Sequence, residues 1–97
     1  MSILMGVLQE ELDRLDRQEV AFRRDLQEVV KGYISKKVIN GKEYFYLQRK
    51  ENGKVISKYI AANELPEVEA QIRRRKLLEE GLRRIKEDRK KLKKILG

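Results

Sequence analysis

Residues 32–60 read GYISKKVINGKEYFYLQRKENGKVISKYI. Two Asn-Gly dipeptides, Asn40-Gly41 and Asn52-Gly53, interrupt runs of residues that favour strands. A two-residue type I′ hairpin needs positive φ at both central positions, which Asn and Gly tolerate best. The stretch therefore predicts a three-stranded antiparallel meander over 33–60, with its register set by the turns. Ile39 falls opposite Lys42, and Tyr46 acquires Ser35 on one side and Tyr59 on the other. Side chains alternate between the faces of a strand, so the register sorts them. One face collects Ile34, Val38, Phe45, Leu47, Ile56 and Ile60 and is expected to be core. The other collects Tyr33, Lys37, Lys42, Tyr44, Tyr46, Lys50, Ser57 and Tyr59 and is expected to be a binding surface.

Outward toward the N-terminus, residues 3–31 predict an amphipathic helix. Met5, Leu8, Leu12, Leu15, Phe22, Leu26 and Val29 recur at spacings of three and four, close to a coiled-coil heptad, and only Glu19 breaks the seam. The pairs Glu10–Arg14, Asp13–Arg17 and Glu19–Arg23 have the spacing of helix-surface ion pairs. Gly32 stands where a left-handed residue would end such a helix.

On the other side, Asn63 is a reasonable N-cap for a second helix over 63–96, followed by Glu64, Glu67 and Glu69 near the positive end of its dipole. Pro66 is tolerated in a first turn, where the backbone N–H has no intrahelical acceptor. The apolar series Leu65, Val68, Ile72 gives way to Leu78, Leu82, Ile85, Leu92 and Leu96, with a shift of register around Arg75. Gly81 in the interior costs about 1 kcal/mol relative to alanine, so it implies close packing or a bend. At about 1.5 Å per residue the second helix is the longer by roughly 14 Å, so in a hairpin its last turns are expected to overhang and need a partner. The expected fold is α+β: helix, meander, helix, in a single domain of 97 residues.

Charge is high and uneven. Charged residues make up 41% of the chain and the net charge is +8, with residues 1–31 at −2, 32–62 at +5, 63–70 at −3 and 71–97 at +8. An acidic first helix and a basic last one can pair within the chain or between copies. The apolar run from Ile3 to Leu8 is interrupted by Gly6 and followed by Gln9-Glu10-Glu11, too short for a signal-peptide core or a bilayer span. A cytoplasmic protein with no membrane partner is expected, and the absence of cysteine fits that compartment.

The residue inventory argues against catalysis. The chain has no His and no Cys, which removes the usual general base, the thiol nucleophile and the common zinc ligands. Gly41 and Gly53 belong to hairpins and form no phosphate-binding loop. The acids mostly alternate with bases on helix surfaces. No enzymatic activity, metal or cofactor is expected.

The segment KGYISKKVINGKEYFYLQRKENGKVISKYI, followed by ELPEVEAQIRRRKLLEE, resembles a group of small uncharacterised prokaryotic proteins. The shared pattern is an aromatic Tyr-x-Tyr-Leu strand, a Gly-Lys turn, and a Ser-x-Tyr-Ile strand that leads into a charged helix. Tyr44, Tyr46, Leu47, Gly53, Lys54, Ser57, Tyr59 and Ile60 carry it, within residues 31–80. The resemblance implies a fold element and no established activity. At the level of fold alone, the sheet with its helix is also similar to DNA-binding domains of some tyrosine recombinases, in which one sheet face enters the major groove. That likeness supplies a mechanism to test rather than a function.

Two surfaces are candidates for nucleic acid. The first is the cluster of Tyr44, Tyr46 and Tyr59, edged by Lys37, Lys42 and Lys50, where lysine neutralises phosphate and tyrosine bonds phosphate or stacks on unpaired bases. Against it, tyrosine pairs also stabilise sheets, and a helix could cover this face. The second is the basic helix, with Arg73, Arg74, Arg75, Lys76, Arg83, Arg84 and the bases beyond, which suits phosphate backbones without reading sequence. Its competing role is a solvated face that complements the acidic first helix. Leu8, Leu12, Leu15, Phe22, Leu26, Leu78, Leu82 and Ile85 are expected to form a helix-pair or oligomer interface, with a dimer favoured. The favoured function is a small non-catalytic nucleic-acid-binding accessory or regulatory protein. The alternative is a protein-interaction module, or an antitoxin-like partner, docking on an acidic protein.

Overall fold

The computed structural model describes residues 3–97. Its elements run α1 (Ile3–Glu28), β1 (Tyr33–Ile39), β2 (Lys42–Glu51), β3 (Lys54–Ile60) and α2 (Leu65–Leu96). The fold is α+β, with a three-stranded antiparallel sheet in the order β1-β2-β3. Asn40 and Asn52 both have φ of 52°, and Gly41 and Gly53 have φ of 79° and 78°, as type I′ turns require. Ile39 accordingly faces Lys42, and Tyr46 lies between Ser35 and Tyr59.

The chain divides into two compact units. One comprises α1 with Lys76–Gly97, and the other is Val29–Arg75. The register shift at Arg75 has its explanation here, since α2 contributes to both. Leu65, Val68 and Ile72 serve the sheet unit, while Leu78, Leu82 and Ile85 serve the helix pair. The extra length of α2 is therefore taken up by the sheet unit at its N-terminal end, not left as an overhang at its C-terminal end.

Within the helix-pair unit, α1 and the second half of α2 run antiparallel. Glu11 shares a groove with Asp88, Lys91 and Leu92, while Phe22 reaches Gly81. Leu12, Leu15, Leu78 and Ile85 are buried, and Leu8, Phe22, Leu26 and Leu82 are half-buried, so the predicted interface residues serve this intramolecular pair. Glu19, which interrupts the apolar seam, is met by Arg89. The guanidinium forks onto both its carboxylate oxygens at 3.2 and 3.3 Å and reaches Asp16 at 2.9 Å. The hydrogen bond from Arg89 holds the Glu19 carboxyl below the usual carboxylate range. Arg23 stands 3.6 Å from Glu19, as the spacing predicts, but Arg14 pairs with Glu11 rather than Glu10.

Gly81 is in this helix for close packing. A Cβ there would come within 2.5 Å of Phe22 Cε2 and 3.1 Å of Phe22 Cδ2. Gly81→Ala gains about 1 kcal/mol of helix propensity but must push a half-buried ring aside, so a net loss near 1 kcal/mol is expected. In a Phe22→Ala background the same change is expected to stabilise by about 1 kcal/mol. Urea denaturation of the four proteins completes the cycle, and equal effects in both backgrounds would contradict the packing role.

In the sheet unit, α1 has already ended at Glu28, three residues short of the predicted boundary. The connector is held from α2 instead. Gln71 Oε1 accepts a hydrogen bond from Val30 N at 3.0 Å, and Arg75 Nη1 donates to the Val29 carbonyl at 3.5 Å. The Gln71 amide is itself oriented by donating to Glu67 at 3.2 Å. Gly32 is not a helix cap: its φ is 132°, and a Cβ there would drive into the Gln48 carbonyl of β2. Nor does Asn63 occupy the N-cap. The Ala61 carbonyl accepts from Glu64 N and Leu65 N, and the Glu64 carbonyl accepts the first helical bond from Val68 N.

The predicted core face is only partly covered. Ile60 is buried at 3% exposure, and Ile34, Phe45 and Leu47 are half-buried. Val38 and Ile56, by contrast, are 61% and 39% exposed. Val30, Val68 and Gln71 meet this face beside Leu47 and Ile60, near the strand end that leads into α2. Val38 lies toward the first hairpin, beyond that contact, and Ile56, toward the second, shares a groove with Val30 and Leu47 yet stays partly open to solvent.

Candidate nucleic-acid interface

The tyrosine face is built by turn chemistry. Because both hairpins close on Asn-Gly, Tyr44 and Tyr46 of β2 project from the same side as Tyr59 of β3 and Lys37 of β1, with Lys37 opposite Tyr44 and Tyr59 opposite Tyr46. The Tyr46 and Tyr59 rings meet edge to face, with centroids 5.8 Å apart and planes at 67°. Tyr44 joins them at 6.5 Å and 52°. Lys37 Nζ lies 4.9 Å from the centre of the Tyr46 ring, a cation–π contact.

The helix contacts of the sheet unit lie on the opposite face, at Leu47 and Ile60. Tyr33 and Tyr59 are each 54% exposed, and Tyr44 and Tyr46, which shield one another with Tyr59 and Lys37, are half-buried. Lys42 and Lys50 are exposed at the two ends of β2 and bracket the cluster on the same face.

Electrostatics separate the two faces more sharply than hydrophobicity does. The acids of the strands, Glu43 and Glu51, both lie on the opposite face. Each has a basic neighbour there, Lys36 at 3.3 Å for Glu43 and Arg49 at 3.4 Å for Glu51. No strand position on the tyrosine face is Asp or Glu, so Lys37, Lys42 and Lys50 have no compensating carboxylate among their face neighbours. Residues 29–75 carry eleven basic and five acidic groups, net +6, against net +2 for the remainder. Such a surface attracts polyanions.

The predicted basic-helix residues are not gathered in the same way. Arg73, Arg74 and Arg75 belong to the sheet unit, whereas Lys76, Arg83 and Arg84 belong to the helix pair. Arg73 lies 3.9 Å from Glu69, Arg75 holds the Val29 carbonyl, and Arg84 lines a groove with Asp88. Consecutive arginines on a helix also point about 100° apart and cannot share one face.

Sequence reasoning left four members out of the tyrosine face, Ser35, Ile39, Gln48 and Val55. Ile39 and Val55 are 50% and 56% exposed at its ends. The alternation that located the tyrosines would have located them too. Gln71 and Arg89 were missed for a different reason: their partners are 41 and 70 residues away in sequence. Among the described residues no group of three or more His, Cys, Asp or Glu could hold a metal ion. Nor is any helix among them long and apolar enough to cross a membrane.

A family model described as a domain of unknown function (DUF6788) matches residues 6–70, two thirds of the chain, and the chain belongs to that family. The match takes in most of α1, the whole sheet and the first turns of α2, and it stops before Arg73. No curated protein and no solved structure matches the chain.

Proposed function

We propose that this member of the DUF6788 family is a small non-catalytic nucleic-acid-binding protein that uses the tyrosine face of its sheet. The observation that carries this reading is the segregation of charge. Every strand carboxylate stands on the opposite face beside a base, leaving three lysines around a tyrosine cluster in which Tyr44 and Tyr46 are half-buried and Tyr59 is exposed. An anionic polymer can approach that face without meeting a negative group, and each lysine that neutralises a phosphate releases a counterion.

The expected result is salt-sensitive binding. Three phosphate contacts imply a slope of log K against log salt of about −2 to −3. Fluorescence-anisotropy titrations at about 50 and 200 mM salt would then show roughly a 20- to 40-fold change in affinity. Reversing Lys37, Lys42 and Lys50 to glutamate is expected to weaken binding by at least about tenfold more than reversing Lys36, Lys54 and Lys58 on the opposite face. The two triple variants have the same net charge, so the comparison isolates position. Equal losses in both would reduce the interaction to net charge. No binding at the lower salt would overturn the reading and turn attention to an acidic protein partner.

A further inference from the structure

The geometry points to unpaired bases as what the tyrosine face takes: we infer that it holds single-stranded nucleic acid, with a base stacked on Tyr59. This rests on the reading of the face as a nucleic-acid interface and narrows it to one class of ligand.

In a duplex the flat faces of the bases are covered by their neighbours, and a protein reaches only base edges. Edge recognition calls for long hydrogen-bonding side chains such as arginine, asparagine, glutamine and lysine. The centre of this face offers rings instead. Tyr44, Tyr46 and Tyr59 occupy adjacent positions on β2 and β3, and Gln48 is the nearest amide on the same side. The strands contribute no arginine to this face, since Arg49 points to the other.

The ring arrangement also distinguishes one tyrosine from the others. Tyr59 packs against both Tyr44 and Tyr46, so it is braced, yet it remains 54% exposed because β3 is an edge strand. A braced aromatic with an open surface loses little freedom when a base stacks on it, and such stacking tolerates any base. Tyr46 has the ammonium of Lys37 at 4.9 Å, within a side chain's swing of a phosphate beside a stacked nucleotide. The rings therefore form one contiguous patch with cations at its edges, so a base can stack on a ring while a lysine at the rim meets its phosphate.

The protein carries its own probe. It has four tyrosines, at 33, 44, 46 and 59, and no tryptophan, so its intrinsic emission comes entirely from this face. A base stacked on tyrosine quenches that emission, whereas a phosphate held by lysine does not. Wild type, Tyr59→Leu and Tyr59→Phe are titrated with a 12-nucleotide single-stranded DNA, an RNA of the same sequence and the matching DNA duplex. The expected result is quenching by single strands and weaker binding to duplex. Tyr59→Leu is expected to lose at least about fivefold in single-strand affinity, and Tyr59→Phe to retain it. Duplex binding as tight as single-strand binding, or saturable binding with unchanged emission, would overturn the inference while leaving a charge-driven interface intact. The absence of any binding would remove the interface itself. The comparison of single strand with duplex uses the wild-type protein and does not depend on the variants folding.

Discussion

Replacing Gly32 with alanine is expected to destabilise the sheet unit by about 3 kcal/mol, a large fraction of what a unit of this size can have. Two penalties combine. A φ of 132° is a conformation that an L side chain rarely adopts, and strain of that kind costs about 1–3 kcal/mol. The added methyl would also fall on the Gln48 carbonyl oxygen, a backbone atom of the central strand that cannot move aside without disturbing the β1–β2 ladder. Leu47 Cδ1, at 3.2 Å from the same position, adds a further crowded contact. Guanidinium denaturation followed by tyrosine emission reports on this unit, because all four tyrosines lie in it. A lowered midpoint for Gly32→Ala is expected, and a midpoint within error of wild type would show that the connector can be rerouted. A D-alanine provides the converse test. Its Cβ replaces the other hydrogen and positive φ is natural to it, so the part of the loss that comes from backbone strain should return.

The second large effect is expected at Arg89. Its side chain is 19% exposed and that of Glu19 is 25% exposed, so both charges are substantially desolvated and depend on each other. Arg89→Met removes the fork and leaves the Glu19 carboxylate on the seam with Arg23 alone, at 3.6 Å. Full burial would make the loss about 3–5 kcal/mol, and partial exposure brings it to about 2 kcal/mol. Adding Glu19→Leu should recover that loss or better, because the seam then becomes apolar throughout and the cost of desolvating two charges disappears. A double variant no more stable than Arg89→Met would mean that the pair contributes more than it costs.

This pair also predicts a pH dependence. The folded-state carboxyl of Glu19 titrates below its ordinary range because of the Arg89 hydrogen bond. The stability it contributes is therefore complete above the unfolded carboxylate value of about 4.3 and is lost as pH falls through the lower folded value. Arg89 is shifted upward by the same contact and stays charged throughout that range. Wild type should lose stability faster than the Glu19→Leu/Arg89→Met protein between about pH 5 and pH 3. Parallel acid profiles would assign the sensitivity to other carboxylates.

Glu19 shows the limit of reading this chain one element at a time. Its interruption of an apolar seam is visible at once, but the guanidinium that satisfies it is one of twelve bases in residues 71–97, and nothing near Arg89 marks it out. The same holds for Gly81, whose helix-weakening cost is evident but whose reason is a ring on another helix. The N-cap at Glu64 rather than Asn63, and the end of α1 at Glu28, are also decided by hydrogen bonds that the surrounding turn and α2 supply.

What the sequence determined by itself is the meander. Asn40-Gly41 and Asn52-Gly53 state their φ requirements locally, the turn length then sets the register, and a period of two assigns every strand residue to a face. The tyrosine cluster and its lysines follow from those steps without reference to the rest of the chain. Which face a helix would cover, how α2 is shared between two units, and which charges neutralise which were decided only in the tertiary structure. Those outcomes depend on contacts between residues tens of positions apart, where many bases and many leucines are interchangeable in pattern and only packing distinguishes them.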